Sequence, residues 1–323
     1  MTGRNTPRLC FIGFGEAGQA LASGLREAGV ESMSAWDILF PEPDGQRLRQ
    51  AGEKIGVRLA ASAADAVRQA DIIISAVTAA SSLEAAQSVQ PHLAGHAFFL
   101  DINSVSPGRK QVTAKLFAAA RYVDVAVMAP VHQARHQTPV LLAGPHAQAI
   151  EPILREFDMR TSIAGPEIGA AAAIKMVRSV MIKGMEALTL ECFLAAMRAG
   201  VEEQVIASLS KSFPTLDWTK VIEYNLERMA SHGTRRAAEM EEVADTLREL
   251  GIEPHMATAT VERQRQMGRI GKQQAVRGSL EEGRTVLLRA ISAAALAEDK
   301  GQTTNGGEEE QPASVVPRQS SAV

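Results

Sequence analysis

The sequence is poor in cysteine, has no long apolar run and carries no excess of either charge. Its two cysteines, Cys10 and Cys192, stand far apart and match neither a CxxC pair nor a zinc spacing, so a reducing compartment is expected rather than a disulfide framework. No apolar run reaches the roughly 18 residues that a membrane span requires. Residues 9–14 are too short and too broken by glycine to be the apolar core of a signal peptide. A net charge of −3 lacks the electrostatic footprint of a nucleic-acid or anionic-lipid binder. These absences leave a globular chain expected in the cytoplasm, with no nucleic acid and no membrane among its partners. At 323 residues and 46% apolar content it has room for two packed domains.

What is present begins at the N-terminus. The apolar run 8–12 leads directly into Gly13-Phe14-Gly15-Glu16-Ala17-Gly18 and then a helix-like stretch, 19–28. Strand, glycine turn and helix in that order suit a dinucleotide. Gly13 permits the tight turn, Gly15 leaves space for a pyrophosphate against the backbone, and Gly18 lets the helix lie close to the strand. A glycine turn alone is weak, and context strengthens it. The second apolar segment, 32–36, ends in Asp37, about 20 residues beyond Gly18, where an acidic side chain accepts both ribose hydroxyls. The same carboxylate repels a 2′-phosphate, so NAD is expected over NADP. Arg47 and Arg49 follow closely enough to keep NADP open.

Strand-like apolar runs recur at 9–12, 33–36, 57–59, 72–77, 97–100, 122–128, 140–143 and 159–163, separated by helix-like stretches. This alternation predicts an α/β fold with a mostly parallel, doubly wound sheet of the Rossmann kind. Segment 72–77 is continuously apolar up to Ser75, as a strand covered on both faces must be, so the loop Val77-Thr78-Ala79 after it opens onto the cofactor cleft. From Pro166 and Glu167 the pattern turns helical, at 168–198, 202–212, 217–231, 235–250, 255–267 and 280–296, punctuated by Gly200, Pro214, Gly233 and Gly251. The expected division is a nucleotide-binding domain over 1–165, an all-helical C-terminal domain over 166–297, and a polar, disordered tail over 298–323.

Three segments carry candidate chemistry. In the first long helix Lys175 is surrounded by Ala171, Ala172, Ala173, Ile174, Met176 and Val177, too apolar for a surface element. Residues Lys175, Ser179, Lys183 and Glu186 share one helical face. A lysine stripped of water beside a second cation, Lys183 or Arg178, loses affinity for its proton and becomes useful for proton transfer near neutral pH. The second segment is the strand end Asp101-Ile102-Asn103-Ser104-Val105-Ser106-Pro107. Asn103 and Ser104 are placed there to donate to a carboxylate or hydroxyl, or, with Ser106, to cap the helix that starts near Pro107. The third is another strand end, where Met128, Ala129, Pro130 and His132 line the candidate substrate site. The histidines show no metal-ligand spacing beyond His132 and His136, which fall in a loop, so no metal is expected.

The segments 13–18, 101–107, 122–130, 138–144 and 169–179 occur in the order and spacing of the β-hydroxyacid dehydrogenases, the group of 3-hydroxyisobutyrate, tartronate semialdehyde and 6-phosphogluconate enzymes, and the chain resembles that family over about 8–265. The resemblance implies NAD(P) in a cleft, a helix lysine as general acid/base, here Lys175, and Asn103 and Ser104 at the substrate. Asn103 also joins Gly13, Phe14, Gly15, Glu16, Ala17, Gly18, Asp37, Val77 and Thr78 on the cofactor side. Departures are as informative. Met128-Ala129-Pro130 replaces the family's serine-glycine-glycine, Ser179 its asparagine, and Ala238-Glu239 its lysine-aspartate pair, with Arg235 and Arg236 as substitute cations. Ile182 replaces the glutamate of the phosphogluconate enzymes, which excludes 6-phosphogluconate and places the chain closest to a phosphogluconate-dehydrogenase-like branch. The expected reaction is oxidation of the hydroxyl of a small β-hydroxy acid, with Ser104, Asn103, Ser179, Arg178 and Lys183 around the substrate. Two rivals are reduction of an imine or keto acid on the same scaffold and a catalytically silent NAD-binding protein. The apolar surface of 168–198, together with the resemblance, suggests a homodimer through the helical domain.

Overall fold

The computed structural model describes residues 6–117 and 121–305. Its strands are β1 (Leu9–Ile12), β2 (Met33–Trp36), β3 (Arg58–Leu59), β4 (Ile72–Ser75), β5 (Phe98–Asp101), β6 (Arg121–Val127), β7 (Val140–Ala143) and β8 (Thr161–Gly165), side by side in the order β3-β2-β1-β4-β5-β6-β7-β8. The connecting helices are α1 (Glu16–Glu27), α2 (Gln46–Ile55), α3 (Ala63–Val67), α4 (Ser82–Val89), α5 (Pro107–Ala114), α6 (Val131–Ala134) and α7 (Ala147–Glu156). After β8 the described chain is all helical: α8 (Ala170–Ala199), α9 (Glu202–Ser212), α10 (Trp218–Glu249), α11 (His255–Ile270), α12 (Gln274–Gly278) and α13 (Arg284–Asn305). A Rossmann-like sheet followed by a helical region is the architecture expected.

The period-2 alternation of strands assigns side chains to two cores. Leu9 and Phe11 of β1 and Ile72 and Ile74 of β4 belong to one cluster, while Cys10, Ile12 and Ile73 belong to the other. Burial pushes the Cys10 thiol up to about 12, so it is a small apolar core residue. Chain order reverses across β1, which lies between β2 and β4, and a crevice opens beyond the strand ends at such a point.

The sheet is mostly parallel, as expected, with one antiparallel pair, and two helical expectations are corrected. β6 and β7 pair antiparallel, joined by the short α6 segment rather than by a crossover helix of the length parallel pairing requires. Gly233 does not end a helix: α10 runs unbroken through it, because a glycine costs only about 1 kcal/mol in a helix whose other residues favour it. The tail expected from Glu298 begins inside α13, which continues to Asn305; the remainder of 298–323 lies outside the described residues.

The chain divides into two compact units, one holding the residues up to Leu188 with Thr234–Arg265, the other Thr189–Gly233 with the residues from Gln266 onward. The division follows contacts rather than the change from strand to helix at residue 165. In the first unit Met176 of α8 packs with Ala237, Met240, Val243 and Ala244 of α10 and Ala257 and Val261 of α11. In the second, Asn225 donates to Thr189 at 2.9 Å and Arg269 pairs with Glu298.

A buried charge network fixes the start of α8. Asp101, Lys110 and Asp124 are each at most 1% exposed. Lys110 Nζ lies 2.9 Å from Asp101 Oδ1 and 3.6 Å from Asp124 Oδ1, and Tyr122 Oη donates to Asp101 Oδ2 at 2.8 Å. Asp124 Oδ2 accepts the backbone N–H groups of Gly169, Ala171 and Ala172 at 3.0, 3.1 and 3.2 Å. One carboxylate on β6 therefore satisfies three of the free amides of α8 and meets the positive end of its dipole. Burial pushes the Asp124 carboxyl up, with the Lys110 charge opposing.

Candidate active site

The glycine turn after β1 has the form its spacing predicts. Gly13 adopts φ +87°, and a Cβ there would sit 2.5 Å from the Ala76 carbonyl oxygen, so the turn and the end of β4 approach too closely for any other residue. A Cβ on Gly18 would meet the Gly13 carbonyl oxygen at 2.6 Å, whereas one on Gly15 would meet nothing within 4 Å. Space is thus left where a pyrophosphate would lie across the N-terminus of α1. Asp37, directly after β2, receives Phe14 N–H at 2.7 Å on Oδ2 and Leu39 N–H at 3.0 Å on Oδ1. The Phe14 side chain points away from the turn into the core, edge-on to Phe11 and Phe40. Arg49 donates to the carbonyl oxygens of Phe40 and Glu42, which ties it to the loop after β2.

Asn103 and Arg178, both expected at the substrate, have different settings. Asn103 is 5% exposed. Its Oδ1 accepts Val77 N–H at 2.7 Å and its Nδ2 donates to Ser75 Oγ at 2.9 Å. Asn103 therefore ties the end of β4 to that of β5 and shapes the Val77-Thr78 loop, with one of its two amide N–H groups given to Ser75. Arg178 is exposed. At about 100° per residue it is rotated roughly a quarter turn from the centre of the face shared by Lys175, Ser179, Lys183 and Glu186. His132 contacts Glu16 at the first turn of α1, beside the glycine turn. Met128 packs with Ala126, Ala143 and Ala171, and Ala129 and Pro130 are exposed at the end of β6.

The remaining groups converge. Lys175 Nζ donates to Ser104 Oγ at 2.6 Å, joining α8 to the turn after β5. Ser179 Oγ bonds the Lys175 carbonyl oxygen at 2.8 Å, and Lys183 Nζ reaches Ser179 Oγ at 3.4 Å. Ser106 serves as the cap of α5, accepting Arg109 N–H, so the capping and ligand-facing roles are divided between Ser106 and Ser104. Burial drives the Lys175 ammonium down; Glu239 pulls it back up, Lys183, Lys110 and Arg235 push it further down, and it comes to about 8.

Glu239 of α10 is a member of this cluster that spacing on one helix did not single out. It pairs with Lys183 Nζ at 2.9 Å and with Arg235 at 2.7 Å. Burial raises its carboxyl, but the charges of Lys183, Arg235 and Lys175 outweigh that and hold it at about 2. Deeper along the same face Glu186 is 1% exposed, pairs with Arg236 and accepts Gln264 Nε2 at 3.0 Å. Arg236 is thereby consumed by structure, while Arg235 stays near the cluster. Among the described residues no group of three or more His, Cys, Asp or Glu is placed to hold a metal ion. No helix among them is long and apolar enough to cross a membrane.

A Rossmann-like sheet with a dinucleotide-type turn, followed by a helix presenting a half-buried lysine, defines a class of oxidoreductase folds. Residues 8–104 match the family model described as NADP oxidoreductase, coenzyme F420-dependent, and residues 196–267 match a domain of unknown function, DUF1932. A solved conserved hypothetical protein from Sinorhizobium meliloti 1021 is 35% identical, with 90% of this chain and 97% of that one covered and a TM-score of 0.71. A second solved conserved protein, described as structurally similar to 3-hydroxyacid dehydrogenases, is 31% identical over 81% of this chain and 97% of its own, with a TM-score of 0.66. The NAD-dependent L-serine dehydrogenase of Pseudomonas aeruginosa is 26% identical over 223 residues, 65% of this chain and 71% of that enzyme. The chain belongs to the β-hydroxyacid dehydrogenase-like family.

Proposed function

We propose that the protein is an NAD-dependent oxidoreductase that oxidises the hydroxyl of a small β-hydroxy acid, with Lys175 as general acid/base. The observation that carries this reading is the 2.6 Å contact of Lys175 Nζ with Ser104 Oγ, made by a lysine whose ammonium is brought down to about 8. The turn fits a dinucleotide, because the space over Gly15 is open while Gly13 and Gly18 are closed in. When bound, the nicotinamide supplies the hydride acceptor. Lys175 Nζ, in its neutral form, takes the hydroxyl proton as the carbinol carbon loses its hydride, and returns a proton in the reverse direction. Ser104 Oγ and Ser179 Oγ orient the hydroxyl, and Lys183 faces the substrate carboxylate with its own charge partly balanced by Glu239. Residues 1–165 hold the nucleotide and 166–297 the substrate side. An exposed stripe on α8, Ile174, Val177, Met181 and Leu188, supports association of two chains through the helical region.

The test is reduction of NAD and NADP by the purified protein across a panel that includes L-serine and 3-hydroxyisobutyrate. Turnover of at least one 3-hydroxy acid is expected; nucleotide binding without turnover of any of them, or turnover only of cyclic imines with NADPH, would overturn the reading.

Two outcomes follow from the site. Oxidation requires neutral Lys175, so kcat/KM for oxidation is expected to rise about tenfold per pH unit below pH 8 and to level off above it, while the reductive direction shows the opposite limb. A flat profile between pH 6 and 9 removes Lys175 as the base. In the proposed binding mode the Asp37 carboxylate holds the ribose and repels a 2′-phosphate. Asp37→Ser is therefore expected to narrow the NAD over NADP preference by about tenfold, as the loss of roughly 1.4 kcal/mol of repulsion requires. Fluorescence titration with NADH and NADPH reads this directly.

A further inference from the structure

The turn that carries Ser104 is held by a helix remote in sequence. Glu242 Oε2 of α10 accepts Ser106 N–H at 2.9 Å, and Glu242 Oε1 lies 3.3 Å from Arg109 Nη1. Two turns further along α10, Glu249 accepts from Ser106 Oγ at 2.6 Å and from Gly108 N–H at 3.0 Å. Two carboxylates of one helix thus occupy the N-terminus of α5, the place where an Ncap residue and water would otherwise satisfy the free amides. Gly108 is part of the arrangement: a Cβ there would lie 2.5 Å from Glu249 Oε1. The same helix meets the lysine side of the site. Met240, Val243 and Ala244 of α10 pack against Met176, the neighbour of Lys175, and Glu239 pairs with Lys183.

We propose that Glu242 and Glu249 are positioning residues: by clamping residues 106–108 to α10 they set the distance between Ser104 Oγ and Lys175 Nζ. The geometry requires an outside anchor. Ser104 lies on a turn, and a turn free of α10 exchanges conformers in which Ser104 leaves the ammonium to water. Both glutamates lack any contact with Lys175, so their effect passes through the turn. Gly108 is glycine because the clamp needs the volume its Cβ would take. This inference rests on Lys175 being the functional group, as proposed above.

The experiment needs no substrate. Competitive labelling with acetic anhydride between pH 6 and 11, read peptide by peptide in a mass spectrometer, gives the titration midpoint of Lys175 in the full chain. The wild-type midpoint is expected at about 8. Glu242→Ala frees the turn, admits water to the ammonium and moves the midpoint up by about one unit or more, toward the ordinary lysine value. Glu242→Gln keeps an acceptor for Ser106 N–H and is expected to stay near wild type, a rescue that loss of charge alone does not allow. Gly108→Ala displaces the Glu249 carboxylate without removing a charge and favours the α5 helix, so it folds even where Glu242→Ala does not, and it shifts the midpoint in the same direction. Glu241→Gln, on the side of α10 that faces Arg265, leaves it in place. A wild-type midpoint near 8 that neither Glu242→Ala nor Gly108→Ala moves overturns the clamp and leaves the reading of Lys175 standing. A wild-type midpoint near 10 overturns that reading, and the clamp with it.

Discussion

Lys175→Ala is expected to lower kcat by about 10²- to 10⁴-fold while the dissociation constant for NAD changes little, since a positioned general base contributes an effect of that size. The separation of the two effects follows from placement. Lys175 stands on α8 against Ser104, whereas the nucleotide turn is built by Gly13, Gly15, Gly18 and Asp37 at the ends of β1 and β2. Lys175→Arg is the sharper variant, because it keeps a cation at the position and removes the group able to release a proton near neutral pH. It is expected to be as slow as the alanine form. Stability should not fall in Lys175→Met, since the change removes a desolvated ammonium and retains the apolar stem. Single-turnover kinetics on the substrate found in the panel separates binding from chemistry; turnover within a few-fold of wild type in both Ala and Arg variants would falsify the assignment.

Lys110→Met is expected to cost about 3–5 kcal/mol of folding stability, the range for removing one partner of a buried ion pair. Asp101 and Asp124 would then be left fully buried without a cation, 2.9 and 3.6 Å from where the ammonium had been. Without the ammonium, burial of the Asp124 carboxyl is no longer opposed by Lys110, so its folded pKa rises further above the unfolded one, in the direction burial already drives it. The folded form of the variant then binds more protons than the unfolded form, so its stability falls as pH rises from about 4 through the raised folded pKa. The deficit against wild type is thus expected to be largest at neutral pH and smallest near pH 4. Urea unfolding at a series of pH values checks this, and a deficit independent of pH would show that packing rather than charge sets it. Because Asp124 also holds the first turn of α8, the variant should disturb the Lys175 site as well as the core.

Much of this was legible in the chain. The run Ile72, Ile73, Ile74 and Ser75 reads as a doubly covered strand, and it is central in the sheet between β1 and β5. Glycine spacing located the turn after β1, because a positive φ and a close backbone approach are demands that one residue type meets locally. Helical periodicity put Lys175, Ser179, Lys183 and Glu186 on one face, and the first three are linked there by hydrogen bonds. The partners of Asn103 were not legible, because its sequence context shows only that it follows a strand. The Val77 N–H that claims its Oδ1 belongs to a different strand end. Arg178 is exposed and lies about a quarter turn from the centre of the face that Lys175, Ser179, Lys183 and Glu186 share. That Glu242 and Glu249 reach the N-terminus of α5 depends on contacts between residues 136 to 143 apart in the chain, which no local pattern encodes. Asp101 and Asp124 did leave a signal, as charges inside apolar strands, which are almost never fully buried unless paired.

Local rules determined what repeats at short range: strands from alternation, the nucleotide turn from glycine, and the apolar setting of a lysine from its immediate neighbours, because each depends on residues within a turn or two of backbone. Tertiary structure alone decided which polar groups are spent on holding the fold and which are left free to act. Charges desolvated together take their protonation from whatever partner the packing brings within a few ångströms, and no spacing along the chain encodes that distance.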